Sequence, residues 1–219
     1  MKTVKIKETR EETAIGKVVC VGRNYAEHAK EMGNEVPEEF PIIFLKTATC
    51  MINSGENVVH PLYSQNLHHE IELVLLIGKT VKNADEAEAE ESIIAYAVGL
   101  DMTLRDLQFA SREKGDPWTL AKVFDTSGVL SEFVLKEQYK INGSEKIVLK
   151  VNNTVKQSTT LNTMLFNPVE IVKNISARMT LEKGDLIFTG TPAGVSKVVR
   201  GDKLSGYIEN IGNIETTII

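Results

Sequence analysis

Apolar residues fall into short runs along the chain, and the spacing within each run predicts a secondary-structure element. The runs that read as β-strands, because they are short and bounded by glycine or polar residues, are residues 18–21, 41–46, 70–77 and 93–100. A hairpin is predicted over residues 146–159, turning at Asn152-Asn153, because asparagine tolerates the left-handed turn conformation. The stretch from Gly184 onward is also strand-rich, so strands dominate the predicted chain.

Helical signals are fewer. Asn24 with Glu27 three residues later is typical of a capping box, which predicts a short helix over residues 25–32 that Gly33 ends. The other predicted helices cover residues 84–91, residues 103–112 and a segment that begins at Asn167-Pro168 with Glu170 as its capping partner. Many strands with few helices predict an α+β fold.

Length, charge and cysteine content narrow the class of protein. The 219 residues suit one large domain, and 42% apolar with 25% charged residues is ordinary for a soluble globular protein. A formal net charge of -5 disfavours nucleic acid as a partner, because phosphate binding needs a basic surface. No apolar run reaches membrane length and no signal-peptide centre is present, so we expect neither membrane association nor secretion. Cys20 and Cys50 give no disulfide framework, which favours a reduced, cytoplasmic location.

Two carboxylates lie side by side on the predicted strand 70–77. Glu70 and Glu72 are two residues apart, so a strand directs both to one face and directs Ile71 and Leu73 to the other. Like charges repel, and burying them without a counter-charge is costly. Either this face is an exposed strand edge or a cation lies between the two side chains, and the segment alone leaves both interpretations open.

Asp101 adds a third carboxylate where the apolar run 93–100 ends and a helix is predicted to follow. Side chains at such strand ends are fixed by the strand and exposed by the loop, which suits a binding site. Three carboxylates suit a hard cation, Mg²⁺ or Mn²⁺. Zinc is disfavoured, because no cysteine is near and no HxxxH-type spacing occurs. We interpret His68 and His69 as structural, although a strand would direct His68 to the Glu70 face.

Two further groups are candidates for chemistry. Arg105 lies one helical turn beyond Asp101, where it can bind a substrate carboxylate as a fork or form a surface ion pair with Asp101 or Asp106. His28 and Glu31 share one face of the predicted first helix, at positions i and i+3. A carboxylate beside an imidazole raises its basicity, which suits a general base, although such pairs are also common on solvated helices.

Six sequence motifs span nearly the whole chain. In chain order they are CVGRNYAEHAKE (20–31), FLK (44–46), HEIEL (69–73), GLDMTLRDLQ (99–108), PWTLAKVFD (117–125) and GDLIFTGTPAGV (184–195). With these motifs the chain resembles the fumarylacetoacetate hydrolase family, in its short single-domain acylpyruvase and oxaloacetate decarboxylase branch. The resemblance implies one catalytic domain over residues 1–219. Thr47 departs from a common proline, and Val123 and Asn153 depart from glycines; Val123 abuts Lys122, so it bears on the shape of the substrate pocket.

The resemblance also implies roles for individual residues. The implied ligands of the metal, Mg²⁺ or Mn²⁺, are Glu70, Glu72 and Asp101. His28 with Glu31 is the implied water-activating pair, and Lys122 is the implied catalytic lysine. The positions similar to substrate-binding residues are Arg23, Arg105, Gln108 and Thr191. The family fold is a mixed β-sandwich roll and its members are usually homodimers, so we expect both here.

The activity that the resemblance implies acts on a small 2-oxo acid. We expect hydrolysis of a carbon–carbon bond in acylpyruvates or fumarylpyruvate, through a metal-bound pyruvate enolate. The same enolate supports oxaloacetate decarboxylation and keto–enol tautomerisation, so the sequence does not separate these reactions. One alternative is an isomerase or decarboxylase of unsaturated dicarboxylic 2-oxo acids in aromatic catabolism, which needs no water-activating pair. Another is a non-enzymatic metal- or metabolite-binding protein.

The segment after the first predicted helix is polar, from residue 33 to residue 39. A short helix followed by such a segment buries little apolar surface. Two interpretations stand for residues 25–39: an ordered surface helix, or a mobile lid that closes over substrate.

Overall fold

A computed structural model of the protein describes residues 2–7, 12–33, 35–37 and 39–219. Its strands are β1 Thr3–Lys5, β2 Glu12–Ala14, β3 Val18–Gly22, β4 Ile42–Lys46, β5 Met51–Asn53, β6 Leu67–His68, β7 Ile71–Ile77, β8 Ile93–Asp101, β9 Thr103–Leu104, β10 Gly128–Leu130, β11 Val134–Leu135, β12 Lys146–Val151, β13 Thr154–Thr160, β14 Leu186–Phe188, β15 Lys197–Val198, β16 Lys203–Ile208 and β17 Gly212–Thr217. Its α-helices are α1 Ala26–Glu31, α2 Glu86–Ser92, α3 Arg105–Lys114, α4 Thr119–Lys122 and α5 Pro168–Arg178.

A large curled sheet forms the centre of the fold, with strand order β4-β3-β14-β7-β8-β10-β5 and β11 also paired with β8. The β3–β14 and β5–β10 pairs are parallel and the other neighbours are antiparallel. The edge strands β4 and β5 are joined by the short turn 47–50, so the two edges of the sheet approach each other. The antiparallel sheet β13-β12-β16-β17 packs on one face of this roll, where β12 contacts β7 and β17 contacts β8. This mixed roll is the expected α+β fold.

Strand β7 runs through the centre of the core, and all seven of its residues are buried. Its odd-numbered residues pack against the four-stranded sheet and α5, whereas Val74 and Leu76 face a second apolar cluster. Burying each such side chain contributes about 1.5–3 kcal/mol. Because side chains alternate along a strand, Glu72 shares the face of Val74 and Leu76 and points into the protein.

The locally determined elements agree with the sequence analysis. The hairpin of β12 and β13 turns at Asn152 and Asn153, which have φ values of 48° and 66°. Helix α5 begins with the expected capping box between Asn167 and Glu170. The polar helix begins later than predicted, at Arg105. In the described ranges of the chain, the structure contains no helix that is long and apolar enough to cross a membrane.

The predicted capping role of Asn24 is wrong. Tyr25 occupies the N-cap position of α1, without a side-chain capping bond. The Asn24 amide instead donates to the carbonyls of Thr189, at 2.8 Å, and Phe166, at 2.9 Å, and accepts from the Phe166 N–H at 2.8 Å. These buried backbone groups need partners, and one amide satisfies three of them, which outweighs a capping bond at the helix end.

A stability prediction follows from the close packing of β8 against its neighbours. A Cβ added at Gly99 would lie 2.5 Å from Val74 Cγ2 and 2.6 Å from Phe188 Cε1. We expect Gly99→Ala to lower the free energy of unfolding by about 1–3 kcal/mol, because the core has no room for the methyl group. Gly212→Ala is the matched control, since its nearest neighbour, Ser131 Oγ, is 3.6 Å away. Urea denaturation measures both variants, and equal losses would contradict the prediction.

Candidate metal centre and catalytic cleft

The antiparallel register of β7 and β8 brings three carboxylates together. Glu72 pairs with Gly99, and the Asp101 N–H donates to the Glu70 carbonyl at 2.8 Å, so Glu70 and Asp101 are adjacent at the end of the strand pair. One carboxylate oxygen from each of Glu70, Glu72 and Asp101 lies within 4.8 Å of the others, and all three residues are buried. The interpretation of this face as an exposed strand edge is therefore wrong.

Lys122, at the end of α4, bridges two of these carboxylates. Its Nζ donates to Glu70 Oε2 and Asp101 Oδ2, both at 2.7 Å, and to Thr103 Oγ1 at 2.6 Å. Burial alone would lower the pKa of Lys122, but Asp101 and Glu70 outweigh it and raise the pKa. Lys122 is therefore a charged, fixed donor at the centre of the site, as expected for a group that stabilises developing negative charge.

Lys46 reaches the same carboxylates from the end of β4 because the sheet curls. Its Nζ lies 3.0 Å from Asp101 Oδ1 and donates to Ser127 Oγ at 2.9 Å and to the carbonyls of Ser127, Met102 and Lys122. These acceptors outnumber the three ammonium protons, and the contact with Asp101 Oδ1 lacks hydrogen-bond geometry. That oxygen accepts no hydrogen bond from any residue of the described ranges. This buried carboxylate oxygen thus has a positive charge nearby but no hydrogen-bond donor, so its lone pairs are available to a metal ion.

Glu70 and Glu72 have opposite electrostatic environments. Burial alone would raise the pKa of Glu70, but Lys122 and Arg105 outweigh it and hold the pKa far below its ordinary value. Burial, together with the neighbouring Asp101 and Glu70, raises the pKa of Glu72 well above its ordinary value. A divalent cation would relieve this repulsion and favour the ionised form of Glu72. The all-carboxylate donor set therefore fits a hard divalent ion such as Mg²⁺ or Mn²⁺.

Arg105 is buried at the start of α3 instead of lying on the surface. Its Nη2 donates to Glu70 Oε1 and its Nη1 to Gln108 Oε1, and both Arg105 and Gln108 line the cleft. The surface ion pair with Asp106 does not form, because the Asp106 carboxylate accepts from Ser64 Oγ at 2.7 Å. The arginine fork is thus held in the cleft beside the carboxylates, where it can meet an anionic ligand.

The turn 189–191, which follows β14, completes the wall beside Glu72. The Gly190 N–H donates to Glu72 Oε2 at 2.7 Å, and Gly190 has φ 95°, a conformation that favours glycine. Thr191 lines the cleft, and its hydroxyl donates to the Ile71 carbonyl at 2.8 Å. The turn therefore orients Glu72, a candidate metal ligand, and presents Thr191, a candidate substrate-binding residue, to the cleft.

His28 faces this cleft from α1, and Glu31 lies beside it on the same helix. His28 Nδ1 lies 3.2 Å from Glu31 Oε2, and the Gly194 N–H holds both Glu31 oxygens at 3.1 Å. Because a carboxylate only accepts, Nδ1 carries the donated proton and Nε2 keeps its lone pair. Burial lowers the pKa of His28, although Glu70 and Glu31 oppose the shift. The ring is therefore neutral near pH 7, as a general base requires.

The two histidines beside Glu70 form hydrogen bonds with other side chains. His68 Nε2 lies 3.1 Å from Asn66 Oδ1, and its Nδ1 accepts from Arg105 Nε at 3.4 Å. His69 Nδ1 lies 2.9 Å from Gln157 Oε1, and its Nε2 lies 2.9 Å from Ser196 Oγ. Burial and Arg105 lower the pKa of His68 to about 4. Neither histidine belongs to the cluster of candidate metal ligands that the described residues form.

Arg23 enters the cleft from the loop between β3 and α1. Its backbone has φ 60°, the left-handed region, which costs a non-glycine residue about 1–2 kcal/mol. The buried side-chain bonds of the adjacent Asn24 hold the loop in this shape. A strained backbone that presents a polar side chain to a cleft is typical of functional positions.

Sequence reasoning missed several parts of the site. Lys46 lies in a recognised motif, but no spacing links it to Asp101, because their contact depends on the curl of the sheet. Phe44 and Trp118 form an aromatic wall with ring centroids 5.8 Å apart, and Lys122 Nζ lies 4.8 Å from the Phe44 centroid. Local patterns carry no signal for such contacts between distant elements.

The family model for the fumarylacetoacetate hydrolase C-terminal domain matches residues 17–219. This chain therefore belongs to the fumarylacetoacetate hydrolase family, as its motifs indicated. Among its relatives, the mitochondrial oxaloacetate tautomerase FAHD1 of Bos taurus is 43% identical over 194 residues, which cover 89% of this chain and 87% of that protein.

Two solved structures share the fold. A fumarylpyruvate hydrolase from Pseudomonas aeruginosa, in complex with Mn²⁺ and pyruvate, is 36% identical with a TM-score of 0.95, covering 99% of this chain and 95% of that one. A 5-carboxymethyl-2-hydroxymuconate delta-isomerase from Mycobacterium smegmatis is 35% identical with a TM-score of 0.82, covering 95% and 80%. A structural relative thus binds Mn²⁺, and the three clustered carboxylates here have the donors for such an ion.

The clustered carboxylates predict stabilisation by a divalent ion. Mn²⁺ or Mg²⁺ at about 100 times its Kd should add about 2.7 kcal/mol, which raises Tm by about 5–10 °C in a chain of this size. Asp101→Asn should lose most of that shift. Glu215→Gln is the matched control, because it removes the same charge from an exposed position on β17; this variant should keep the full shift in Tm. Thermal melts with metal or chelator measure the shift, and a full shift in Asp101→Asn would contradict the site.

Proposed function

We propose that this chain is a divalent-metal-dependent hydrolase that cleaves a carbon–carbon bond in acylpyruvate-type 2-oxo acids, fumarylpyruvate included. The observation that carries the proposal is His28, which lines the same cleft as Glu70, Glu72 and Lys122 and is oriented by Glu31. A hydrolase needs an activated water there, and a neutral histidine oriented by a carboxylate supplies it. The activities named for the bovine and Pseudomonas relatives agree with this class of substrate.

The metal ion would be Mg²⁺ or Mn²⁺, held by Glu70, Glu72 and Asp101. When bound, it supplies a Lewis acid that polarises a keto oxygen and stabilises negative charge on it. Arg105 and Gln108 bind the carboxylate of the 2-oxo acid, for which the Arg105 fork has the matching geometry. The remaining proposed substrate contacts come from Arg23 and Thr191 at the cleft wall.

The side chains of this chain account for the proton transfers of the hydrolysis. His28 Nε2 takes a proton from water, whose oxygen attacks the carbonyl carbon distal to the pyruvate half. The adduct collapses and breaks the bond between that carbon and C3 of the pyruvate half. The electron pair passes to the pyruvate half as its enolate, while the other half leaves as a carboxylic acid. Lys122 stabilises the developing negative charge, and a proton delivered to C3 yields pyruvate.

The same site supports oxaloacetate decarboxylation or tautomerisation, because each involves an enolate of a 2-oxo acid. An isomerase or decarboxylase of unsaturated dicarboxylic 2-oxo acids is the second candidate, and the similarity to the Mycobacterium smegmatis isomerase favours it. That reaction needs no activated water, so the ordered His28–Glu31 pair favours the hydrolase. A role in binding alone is disfavoured, since His28, Glu31 and Lys122 are all in place around the carboxylates.

We also propose that residues 1–219 form a single catalytic domain, that the protein is a cytoplasmic homodimer, and that nucleic acid is not a partner. Members of the family are usually homodimers, which supports the dimer. The two buried free cysteines are compatible with a reduced compartment. Light scattering at micromolar concentration that gives the mass of one protomer would contradict the dimer.

The test of the hydrolase measures pyruvate and carbon dioxide released from acetylpyruvate, fumarylpyruvate and oxaloacetate, with Mg²⁺, Mn²⁺ or chelator. We expect metal-dependent pyruvate release from the acylpyruvates. His28→Asn should reduce that release by about 10²–10⁴-fold, because it removes the base. Carbon dioxide release from oxaloacetate should fall less, since that step adds no water.

His60→Asn is the matched control, because His60 lies outside the cleft lining, and it should keep both activities. If His28→Asn lost both activities equally, the proposal that His28 takes the proton from water would be contradicted. An absence of pyruvate release from every acylpyruvate would reject the hydrolase and leave the isomerase.

A further inference from the structure

Two arginines besides Arg105, namely Arg23 and Arg112, line the cleft. Arg23 follows β3, and Arg112 lies in the last turn of α3, so the two approach the cleft from different elements. Both are partly buried, and both line the cleft that contains Glu70 and Glu72. The chemistry described above uses neither guanidinium at the reacting bond.

The two arginines act on each other across the cleft. Burial and the positive charge of Arg112 lower the pKa of Arg23, while Glu35 opposes this shift more weakly. Both arginines line the same cleft as Glu70 and Glu72. Two guanidinium groups held near each other repel, and an anion placed between them removes the repulsion.

Contacts restrain the backbone of Arg23 and the side chain of Arg112. The Arg23 backbone is left-handed, and the buried side-chain bonds of the adjacent Asn24 hold it in place. The Arg112 guanidinium carbon Cζ lies 5.8 Å from the centroid of the Phe109 ring. Groups fixed before binding lose less conformational entropy when a ligand arrives. Part of the ordering that a binding site needs is therefore in place before a ligand arrives.

Apolar side chains complete the wall of the same cleft. They are Val21, Met32, Phe44 and Trp118. These side chains give the cationic cleft an apolar wall, which suits the carbon chain of a small organic acid. A ligand that fits this lining has a carboxylate at each end and a short carbon chain against the aromatic wall.

We propose that Arg23 and Arg112 form a second anion subsite, which binds the far carboxylate of a dicarboxylic 2-oxo acid. Arg105 and Gln108 hold the other end of the molecule, beside the metal centre. This assignment rests on the proposed function and narrows its substrate class. It predicts a preference for 2-oxo acids that carry a second carboxylate over acylpyruvates that end in an alkyl group.

The test compares fumarylpyruvate with acetylpyruvate, because both are acylpyruvates and only the first has a far carboxylate. We expect Arg112→Gln to lower kcat/KM for fumarylpyruvate by about 10- to 100-fold, the worth of a charge-assisted hydrogen bond. Most of this loss should appear in KM, because the subsite is far from the reacting bond. The kcat/KM for acetylpyruvate should stay within about two-fold of the wild type.

Lys114→Gln is the matched control, because it removes the same charge from an exposed position of α3 that does not line the cleft. It should leave the ratio of the two substrates unchanged. Arg23→Asn is a second variant, which keeps the test valid if Arg112→Gln fails to fold. Asparagine tolerates the left-handed backbone at this position. It should lower the preference for fumarylpyruvate as Arg112→Gln does.

The outcomes separate this subsite from the function on which it rests. A wild-type protein that releases pyruvate from neither acylpyruvate would reject the proposed hydrolase, and the subsite with it. If the wild-type protein hydrolyses acylpyruvates, the subsite can be rejected alone. That outcome is an Arg112→Gln variant in which kcat/KM falls equally for both substrates or for neither. Selective loss on fumarylpyruvate in both arginine variants, with Lys114→Gln unchanged, would support it.

Discussion

Three ionised carboxylates are costly to bury side by side unless cations compensate their charge, and much of this structure follows from that requirement. The pairing of β7 with β8 fixes Glu70, Glu72 and Asp101 within 4.8 Å of one another inside the protein. Lys46 arrives from β4, and Lys122 and Arg105 arrive from α4 and α3, so the curl of the sheet and the docking of two helices converge on one charge cluster. Removing one member of a buried ion pair is strongly destabilising, by about 3–5 kcal/mol. The same charged residues therefore form the site and contribute to the stability of the fold.

The features that sequence could predict are those determined by neighbouring residues. The turn at Asn152-Asn153 and the capping box of α5 depend on a few adjacent groups, and both were predicted correctly. Asn24 shows the opposite case, because its amide bonds to residues that are more than 140 positions away along the chain. The motifs carried the site residues by resemblance, but not their partners. That Arg105 pairs with Glu70 and not with Asp106 depends on how α3 packs against β6 and β9, which no helical spacing encodes.

The catalytic candidates lie on short elements, and buried contacts fix each of them. Helix α4 has only four residues, yet three hydrogen bonds hold the ammonium group of Lys122. Helix α1 has six residues, and its Glu31 is held from outside by the Gly194 N–H. Short helices are marginal by themselves, so tertiary contacts determine the geometry of both. Positioning of this kind allows a β-rich scaffold to place a base, an ammonium group and carboxylates around one small cleft.

The anchoring of Asn24 limits how helix α1 can move. Its amide joins the start of α1 to Thr189, beside the clustered carboxylates, and to Phe166, before α5, and the adjacent Tyr25 forms a β-bridge with Met164. Residues 34 and 38 of the suggested lid lie outside the described ranges, whereas this anchor lies within them. A helix fixed at its first residues can open only by swinging about that end. The pivot would then lie next to Tyr25, and a swing would carry Glu31 away from Gly194 over a longer arc than His28. Opening would therefore separate the Glu31 carboxylate from its backbone donor before the His28 imidazole left the cleft.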